Sequence, residues 1–593
     1  MTTKSESQRT HLLSRSVPSS VPLQLHRKLS PLESLPAELL LPIASNFSCD
    51  SIPGPPTPLI TFLLLSRTIR QKVDGTALHA AIFERKFDAT APRRRFPSWC
   101  TSSALSVKCK RRFVCLRRFK NHPHHVTIED LWIAYLMMLE SDGNNEEQLI
   151  EYAGIRSFLS GVLTDAVTSP RISASWLEHT EGAALVMSLI WLTTETGMDP
   201  LISPDMCDAV NKRCFHRPLF AGFRYPSWFG DSTQFQLSPS DVKTARDSVA
   251  IAVAENPQLR SVTIRHFGQT LTIFPPSIMC AAVLAWKAVN PPPPIGADLP
   301  ELYQRLPEIR VPGYTGLIRS DIEEYNRDCR PRLRVRRQPS NSSEASALKA
   351  GSETAEVEWQ RAISCHALSI SPQNLVRGSS YILGSLTSRW AGFFTHISEG
   401  LLQALINRPD EPILDVPYGL QGIFVDLKEH VCEAPNLFPL GLDELGGHDV
   451  LNAWLPKGFH LNQSDDSVEL SFERQGRRKS IRYTPWSSHY ATPSIPPAAT
   501  DLRDVIVTGQ SSCKHAVAWF HIKLFGRVRP SDGLIVLIAT MSKPAQTDVS
   551  PHRWMFRGYL HSDNLVGRWR STAPDMRSIG SEGAFMLTKV SSG

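Results

Sequence analysis

The run Val468-Glu469-Leu470-Ser471-Phe472-Glu473 alternates apolar with polar side chains. Successive side chains of a β-strand point to opposite faces, so this period of two predicts a strand with one buried face. Further β-rich runs follow, separated by Gly, Pro, Asn or Asp: Val505 to Val507, Leu534 to Ile538, Trp554 to Tyr559 and Ala584 to Leu587. Strands at this density without intervening helices indicate a closed or nearly closed antiparallel barrel, and closure removes exposed edges.

The chain before the barrel is predicted to be mostly helical, which makes the whole an α+β multidomain protein. Thr127 and Asp130 form a capping-box-like pair at the start of one helix. Residues 91–125 are basic and are predicted to lack regular secondary structure. The predicted parts are a flexible tail over 1–30, a helical segment over 31–90, a mostly helical domain over 91–326, a flexible linker over 327–377 and an antiparallel β-barrel over 378–593.

The linker is predicted from composition. Six arginines fall between Arg327 and Arg337, and a Ser/Ala/Glu-rich stretch follows through Glu356. Such a composition buries too little apolar surface to order itself. A nuclear import patch or a site for an acidic partner is the alternative interpretation of the arginines.

The overall composition is that of a soluble globular protein, with 41% apolar and 20% charged residues. A chain of 593 residues is too long for one core, so two to four domains are expected. The net charge of +7 is modest for this length. A dedicated nucleic-acid binder concentrates basic residues on one domain, so no nucleic-acid partner is expected.

The expected location is the cytoplasm or the nucleus. The 11 cysteines are scattered without a repeated spacing, which favours reduced thiols. The first residues are Ser-rich and lack the apolar stretch of a secretory signal. The most apolar helical candidate, Ala183 to Leu192, is about half the length needed to span a bilayer, so no membrane contact is expected.

The segment over 31–90 is predicted to form three short helical pieces. In the first, Leu39, Ile43 and Phe47 recur at steps of four and give one apolar stripe. Pro42 lies inside this helix and is expected to bend it. The Pro-rich stretch 53–56 breaks the pattern, and a third piece runs from Ile69 to Phe87.

The order of these pieces resembles the F-box. The resemblance lies in Leu35-Pro36-x-Glu38-Leu39-Leu40-x-x-Ile43, followed by Leu63-Leu64-x-Ser66-Arg67-x-Ile69-Arg70. It departs from that motif in the insertion 51–58 and at Pro42. The resemblance implies docking to the Skp-type adaptor of cullin-based ubiquitin ligases. The residues it assigns to the adaptor are Leu35, Pro36, Leu39, Leu40, Ile43, Leu63 and Leu64.

A broader resemblance is to a group of fungal F-box-domain proteins with a helical middle and a C-terminal barrel. It lies in the runs Ala81 to Asp88, Asp130 to Leu136, Val505 to Gly509, Phe525 to Pro530 and Gly567 to Arg570. It implies a non-catalytic substrate receptor of an Skp/cullin/F-box ligase, whose barrel or helical domain recruits an unknown protein target.

Arginines and aromatic residues cluster in the barrel sequence. Arginine forks bind carboxylates in a bidentate manner, so an acidic or C-terminal peptide is one candidate ligand. A solvated face is the alternative. The tryptophans beside glycines, such as Trp390 and Trp569, are predicted to fill the core. The candidate target-binding residues are Arg527, Arg529, Arg557, Tyr559, Arg568, Trp569 and Arg570.

No catalytic, metal or cofactor site is predicted. The sequence lacks a P-loop, a GxGxxG turn, a GxSxG elbow and the kinase motifs. The cysteines at 100, 109 and 115 and the histidines at 122, 124 and 125 lack zinc-finger spacing. Cys513 and His515 would share one face of a strand, without an identified orienting partner.

Two other functions remain open. One is a small-ligand- or peptide-binding barrel with a degenerate F-box, which requires a wide, apolar, unplugged cavity. The other is a free-standing scaffold protein, which requires neither a cavity nor adaptor binding.

Overall fold

The computed structural model describes most of the chain, with gaps. The described residues are 30–47, 53–168, 180–194, 199–220, 262–290, 306–329, 351–364, 381–397, 400–401, 404, 419–432, 453, 455, 458–464, 466–474, 476–486, 504–519, 521–529, 533–541, 553–572 and 581–590. The predicted tail, except Ser30, and most of the arginine run 327–337 lie outside them.

The N-terminal segment contains five helices rather than three. They are α1 Pro31–Ser34, α2 Ala37–Asn46, α3 Thr57–Leu64, α4 Arg67–Val73 and α5 Thr76–Lys86. The predicted third piece is divided because Asp74 and Gly75 leave helical geometry between α4 and α5. Helix α2 is continuous through Pro42.

Polar contacts hold α1 and α2 against α4. Ser30 and Glu33 form a capping box at the start of α1. The Nζ of Lys72 on α4 donates to the carbonyls of Glu33 at 2.7 Å and Leu35 at 2.9 Å. Ser66 caps α4 and also donates to the carboxylate of Glu33. Backbone groups at the α1–α2 turn are thereby satisfied by α4.

The helical domain follows directly. Its helices are α6 Thr90–Arg95, α7 Ser102–Asn121, α8 Ile128–Leu139, α9 Asn144–Glu147, α10 Ile155–Thr168, α11 Thr180–Thr193, α12 Pro204–Val210, α13 His216–Phe220 and α14 Ile278–Val289. A hairpin of β1 Val262–His266 and β2 Gln269–Ile273 precedes α14. The prediction that 91–125 is irregular is wrong, because α6 and α7 occupy most of it.

Helix α8 lies at the centre of this domain. The predicted capping box of Thr127 and Asp130 is confirmed at its start. Every residue from Asp130 to Leu139 is buried, so neighbours surround the helix on all sides. Its apolar side chains belong to one hydrophobic cluster that extends from α2 to the outer wall of the barrel.

Three helices lie between the helical domain and the barrel: α15 Arg319–Asp328, α16 Gly351–Thr354 and α17 Glu356–Ser364. The last two fall inside the stretch 327–377 whose composition predicts a flexible linker. Trp359 of α17 is 1% exposed. Tertiary packing orders this part of the stretch, and amino-acid composition alone does not reveal such packing.

The C-terminal half contains an antiparallel barrel, as predicted, and the structure gives it eight strands. Its strands are β3 Ser388–His396, β4 Gly419–Cys432, β8 Asp504–Gln510, β9 Ile522–Arg529, β10 Leu534–Met541, β11 Arg553–His561, β12 Asn564–Ser571 and β13 Glu582–Lys589. Each pairs with its neighbour in this order, and β13 pairs with β3 to close the ring. A meander of β5 His460–Gln463, β6 Val468–Arg474 and β7 Arg477–Pro485 extends from the end of β4.

The barrel interior is filled by side chains. The inward residues form a second hydrophobic cluster that includes Trp390, Phe394, Leu427, Val507, Leu537, Phe556, Trp569 and Phe585. Gly558 and Gly567 lie opposite each other on β11 and β12. A β-carbon on Gly567 would lie 1.9 Å from the carbonyl oxygen of Arg557, so only glycine permits this approach. In the described strands the interior is a packed core rather than an open cavity.

Gly54 fixes the N-terminal helices to the helical domain. Its φ is +108°, and a β-carbon there would lie 2.5 Å from the ring of Tyr152. Its amide donates to Gln148 Oε1 at 2.7 Å. We expect Gly54→Ala to lower the free energy of unfolding by about 1–3 kcal/mol through backbone strain. Chemical denaturation measures this loss.

A matched control for Gly54→Ala is Gly161→Ala in the helix α10. Apart from its chain neighbours and the adjacent backbone of its own helix, no atom lies within 4 Å of a β-carbon at Gly161. Alanine favours a helix over glycine, so this variant should be neutral or slightly more stable. Equal stabilities of the two variants would contradict the role assigned to Gly54.

Candidate functional site

Helices α2 and α3 expose apolar side chains. Leu39 of α2 is 55% exposed, and Ile60 and Leu64 of α3 are 44% and 72% exposed. Leu65, the C-cap residue directly after α3, is 65% exposed. We call Leu39, Ile60, Leu64 and Leu65 the apolar surface. The two helices contact each other and both pack on α4.

The opposite faces of the same helices are buried. Leu40 and Ala44 of α2 are fully buried, and Leu59 and Phe62 of α3 are nearly so. The inward faces therefore supply the core of this segment. The stripe of Leu39, Ile43 and Phe47 that the sequence predicts lies on the outward side of α2, since Ile43 is half-buried and Phe47 is 41% exposed.

The seven residues that the F-box resemblance assigns to the adaptor fall into three groups. Leu40 is buried, and it packs within the chain. Leu35, Ile43 and Leu63 are half-buried. Pro36, Leu39 and Leu64 are exposed. Sequence reasoning missed Ile60 and Leu65. Ile60 lies four residues before Leu64, a spacing that places both on one helical face and could have suggested it.

The barrel arginines are buried rather than solvated. Arg527 is 1% exposed, and its Nε donates to Asp504 Oδ1 at 2.7 Å. Asp504 also accepts the hydroxyl of Tyr483 at 2.6 Å. Arg568 is buried with Glu582 as its ion-pair partner. The side chain of Arg529 lies outside the described residues.

Arg557, Arg568 and Arg570 lie together on the outer wall of β11 and β12. Arg557 is directly opposite Arg568, and Arg570 is opposite Glu582 on β13. Burial, together with the neighbouring Arg568 and Arg570, lowers the pKa of Arg557 to about 9. Peptide binding by this set stays a prediction, and the internal contacts of Arg568 would have to be broken for it.

Trp569 and Tyr559 face opposite sides of the barrel wall. The indole of Trp569 points inward, and its Nε1 donates to the carbonyl of Thr395 at 2.7 Å. Tyr559 points outward into the cluster shared with the helices. The predicted alternation of Trp569 with its flanking arginines is confirmed, and so is the burial of Trp390 and Trp569.

Helix α17 joins the helical domain to the barrel. At its start, Glu356 accepts hydrogen bonds from Arg94 at 3.0 Å and Arg95 at 3.1 Å. Near its end, Arg361 donates to the carbonyl of Leu560 at 3.2 Å. The guanidinium of Arg361 also lies 4.6 Å from the ring centre of Tyr559. Both parts are thereby held by one short helix.

The ion pair of His561 and Glu358 belongs to this junction and should make its stability depend on pH. His561 Nδ1 lies 2.6 Å from Glu358 Oε1. Burial acts to lower the pKa of His561, but Glu358, with a smaller contribution from Cys280, outweighs it and raises the pKa to about 9. The pair therefore makes its full contribution to the free energy of unfolding, about 3 kcal/mol, below pH 6.5. This contribution is lost as the pH rises through 9.

We expect the stability difference between the natural chain and His561→Gln to shrink as pH rises from 6.5 to 9. Denaturant titrations of both proteins at several pH values measure this difference, and other titrating groups cancel in it. If the free energies of unfolding of the two proteins change in parallel from pH 6.5 to 9, the ion pair contributes nothing to stability.

A buried polar network connects α7, the end of α8 and the β1–β2 hairpin. Arg112 is bonded to the carboxylate of Glu140, and it donates to Asn145 Oδ1 at 2.9 Å. Glu140 Oε1 lies 2.6 Å from His266 Nε2, whose Nδ1 lies 2.8 Å from Lys108 Nζ. Sequence reasoning missed this network, because residues 91–125 were predicted only as a basic and irregular stretch.

The electrostatics of this network follow from burial. Burial, assisted by Arg112, lowers the pKa of Lys108 to about 7. Burial, assisted by Lys108, lowers the pKa of His266 to about 4. Burial acts to raise the pKa of Glu140, but His266, Arg112 and Lys108 outweigh it and hold the pKa at about 2. Glu140 is therefore the anion that balances the buried cations.

The remaining candidate residues do not come together as a catalytic or metal site. Cys513 and His515 lie on the helix Cys513–Ala518 and not on a strand; His515 is stacked on Phe424 and bonded to Glu324 at 3.0 Å. Among the described residues, no group of three potential metal ligands is close enough to hold an ion. The described helices include none that is both long and apolar enough to cross a membrane.

Comparison with known proteins gives no relative. No protein-family model matches the chain, and neither the curated proteins nor the solved structures contain a match.

Proposed function

We propose that the chain is a non-catalytic substrate-recognition subunit of an Skp/cullin/F-box ubiquitin ligase. The apolar surface of α2 and α3 docks the Skp-type adaptor, which links the chain to a cullin scaffold. The helical domain or the barrel holds the protein target. The proposed location is the cytoplasm or the nucleus, where such ligases operate.

The single observation that carries the proposal is the apolar surface. Leu39 and Leu64 are more than half exposed although they lie on helices whose other faces form a core. Exposed apolar side chains grouped on two helices that pack together are typical of a docking site. Burying each fully would contribute roughly 1.5–3 kcal/mol to binding.

The rest of the structure supports a rigid receptor. Gly54 fixes the segment to the helical domain, and α17 fixes that domain to the barrel. A receptor acts by placing its target near the ubiquitin-loaded enzyme, so a fixed distance between adaptor and target favours transfer.

Affinity purification of the full chain followed by mass spectrometry tests this proposal. We expect a Skp-type adaptor and a cullin in amounts comparable to the chain. Recovery of the chain without either protein, under conditions in which a known F-box protein retains both, would contradict the proposal.

A further inference from the structure

The start of β7 carries three consecutive cations directly before a serine, in the run Arg477-Arg478-Lys479-Ser480. All four side chains are exposed. The run follows the tight turn at Gly476, whose φ is 72°, so it lies at the tip of the β6–β7 hairpin. Arginines two and three positions before a serine are the pattern that basic-directed serine kinases recognise, through carboxylates in their peptide-binding cleft.

The backbone of this run is extended and accessible. β7 pairs with β6 along most of its length, but with β4 only at its last two residues. Over 477–483, no strand among the described residues pairs with the other edge of β7. Arg474 pairs with Arg477 across the two-residue turn, so the pair of Ser480 with Ser471 does not exchange hydrogen bonds. Ser480 therefore directs its N–H and C=O toward this uncovered edge.

The hydroxyl of Ser480 is accessible as well. Its Oγ donates to the carboxylate of Glu469 on β6, and both side chains are exposed. Such a bond contributes little net free energy, because water replaces it when it breaks. The hydroxyl can therefore turn from Glu469 to the catalytic base of a kinase.

We propose that Ser480 is phosphorylated by a serine kinase that recognises Arg477 and Arg478 through carboxylates. In this transfer the Ser480 oxygen forms a bond to the γ-phosphorus of ATP, and the bond from that phosphorus to the bridging oxygen breaks, so that ADP leaves. The hydroxyl proton passes to the aspartate base of the kinase. Phosphorylation does not depend on the proposed function, because neither the adaptor nor a target takes part in it.

The phosphate would change the charge of the exposed face of the hairpin. On this face Glu469 lies opposite Arg482, and Glu473 lies opposite Arg478, so their charges cancel. The two arginines are two positions before and after Ser480, and their side chains therefore flank it on the same face. A phosphate adds about two negative charges at neutral pH. The modification thus converts a neutral face into an anionic one.

Incubation of the full folded chain with cAMP-dependent protein kinase and Mg–ATP tests the proposal, since that kinase requires arginines before its target serine. We expect fragmentation of the digested chain to place a phosphate on Ser480, and Ser480→Ala should remove it. The double substitution Arg477→Ala and Arg478→Ala should lower the initial rate at this site about tenfold or more, because two charge-assisted contacts are lost.

Arg482→Ala is the matched control for the double variant. Arg482 is an exposed arginine of the same strand, but it follows the serine and lies outside the recognised positions. This variant should be phosphorylated at the rate of the natural chain. All these positions are exposed, so thermal denaturation should show that each variant folds. Equal losses of rate for Arg482→Ala and the double variant would overturn the proposal.

A synthetic peptide of residues 474–483 separates the sequence from the fold. Ile481, directly after the serine, is buried in the chain and free in the peptide. We expect the kinase to phosphorylate both the peptide and the folded chain. Phosphorylation of the peptide without the chain would overturn the proposal, because the folded hairpin would then hide its serine. Phosphorylation of neither would overturn it as well.

Discussion

The double substitution Leu39→Asp and Leu64→Asp is expected to weaken binding of a recombinant Skp-type adaptor ~100-fold without lowering the stability of the chain. Each leucine would lose roughly 1.5 kcal/mol of apolar burial in the complex, and about 3 kcal/mol corresponds to that ratio. Burying the new carboxylates against an apolar adaptor face adds to the loss. In the free chain both positions are mostly in water, so the free energy of unfolding should change by less than about 0.5 kcal/mol.

Two controls distinguish docking from general damage. Ile309→Asp changes an apolar residue that is 76% exposed and lies outside the apolar surface, and it should leave the affinity unchanged. Leu40→Asp places a charge at a fully buried position and should lower stability and affinity together. Isothermal titration calorimetry and thermal denaturation give the two readouts. An unchanged affinity of the Leu39/Leu64 variant would remove the apolar surface from the adaptor interface.

Arg112→Ala is expected to lower the free energy of unfolding by about 3–5 kcal/mol. The substitution leaves the carboxylate of Glu140 buried without its guanidinium partner, and both side chains are fully buried in the natural chain. It also removes the guanidinium from above the rings of Phe83 at 4.8 Å and Phe87 at 5.2 Å. A loss of this size is a large fraction of a typical domain stability.

The neighbouring Arg111→Ala is the matched control for Arg112→Ala. Arg111 pairs with Glu129, and both side chains are substantially exposed, at 33% and 63%. Exposed pairs contribute about 0–1 kcal/mol, so this variant should remain close to the natural chain in a denaturant titration. Equal losses for the two variants would show that the buried network is not a principal source of stability.

The barrel was predicted from the strand with the clearest alternation, and that strand lies outside the barrel. Val468–Arg474 belongs to the meander, which has one solvent-exposed face. The barrel strands Leu534–Met541 and Asn564–Ser571 are buried on both faces, by the interior and by the helices. Leu534–Met541 is therefore a nearly continuous apolar run, and the alternation in Asn564–Ser571 places buried arginines on the outward face. Composition and turn residues identified them, but neither could give the strand order.

Helix α7 shows a limit of sequence reasoning. Its sequence carries Lys110-Arg111-Arg112 in a stretch that was predicted to be basic and irregular, yet Lys108 and Arg112 are buried against Glu140 and His266. Their partners lie 28 to 158 positions away in the chain, and no local pattern joins them. The same holds for Arg527 and Asp504, which meet only because β8 pairs with β9.

The apolar surface was more accessible to prediction, because a helix has a period that separates its faces. The spacing of Leu39, Ile43 and Phe47 predicts one shared face, and the structure places that face outward. Periodicity does not say which of two apolar faces is covered, since Leu40 and Ala44 form a second. The packing of α4 and α5 against α2 decides this, and it is a tertiary contact.

Hydroxyl-radical footprinting of the full chain, with and without the adaptor, tests the central claim most directly. It measures the solvent exposure of individual side chains, and Leu39, Ile60, Leu64 and Leu65 are all reactive positions exposed in the free chain. We predict that the adaptor protects these four residues and leaves Ile309 as reactive as before. Adaptor binding without protection of the four, or no change with saturating adaptor, would contradict the account.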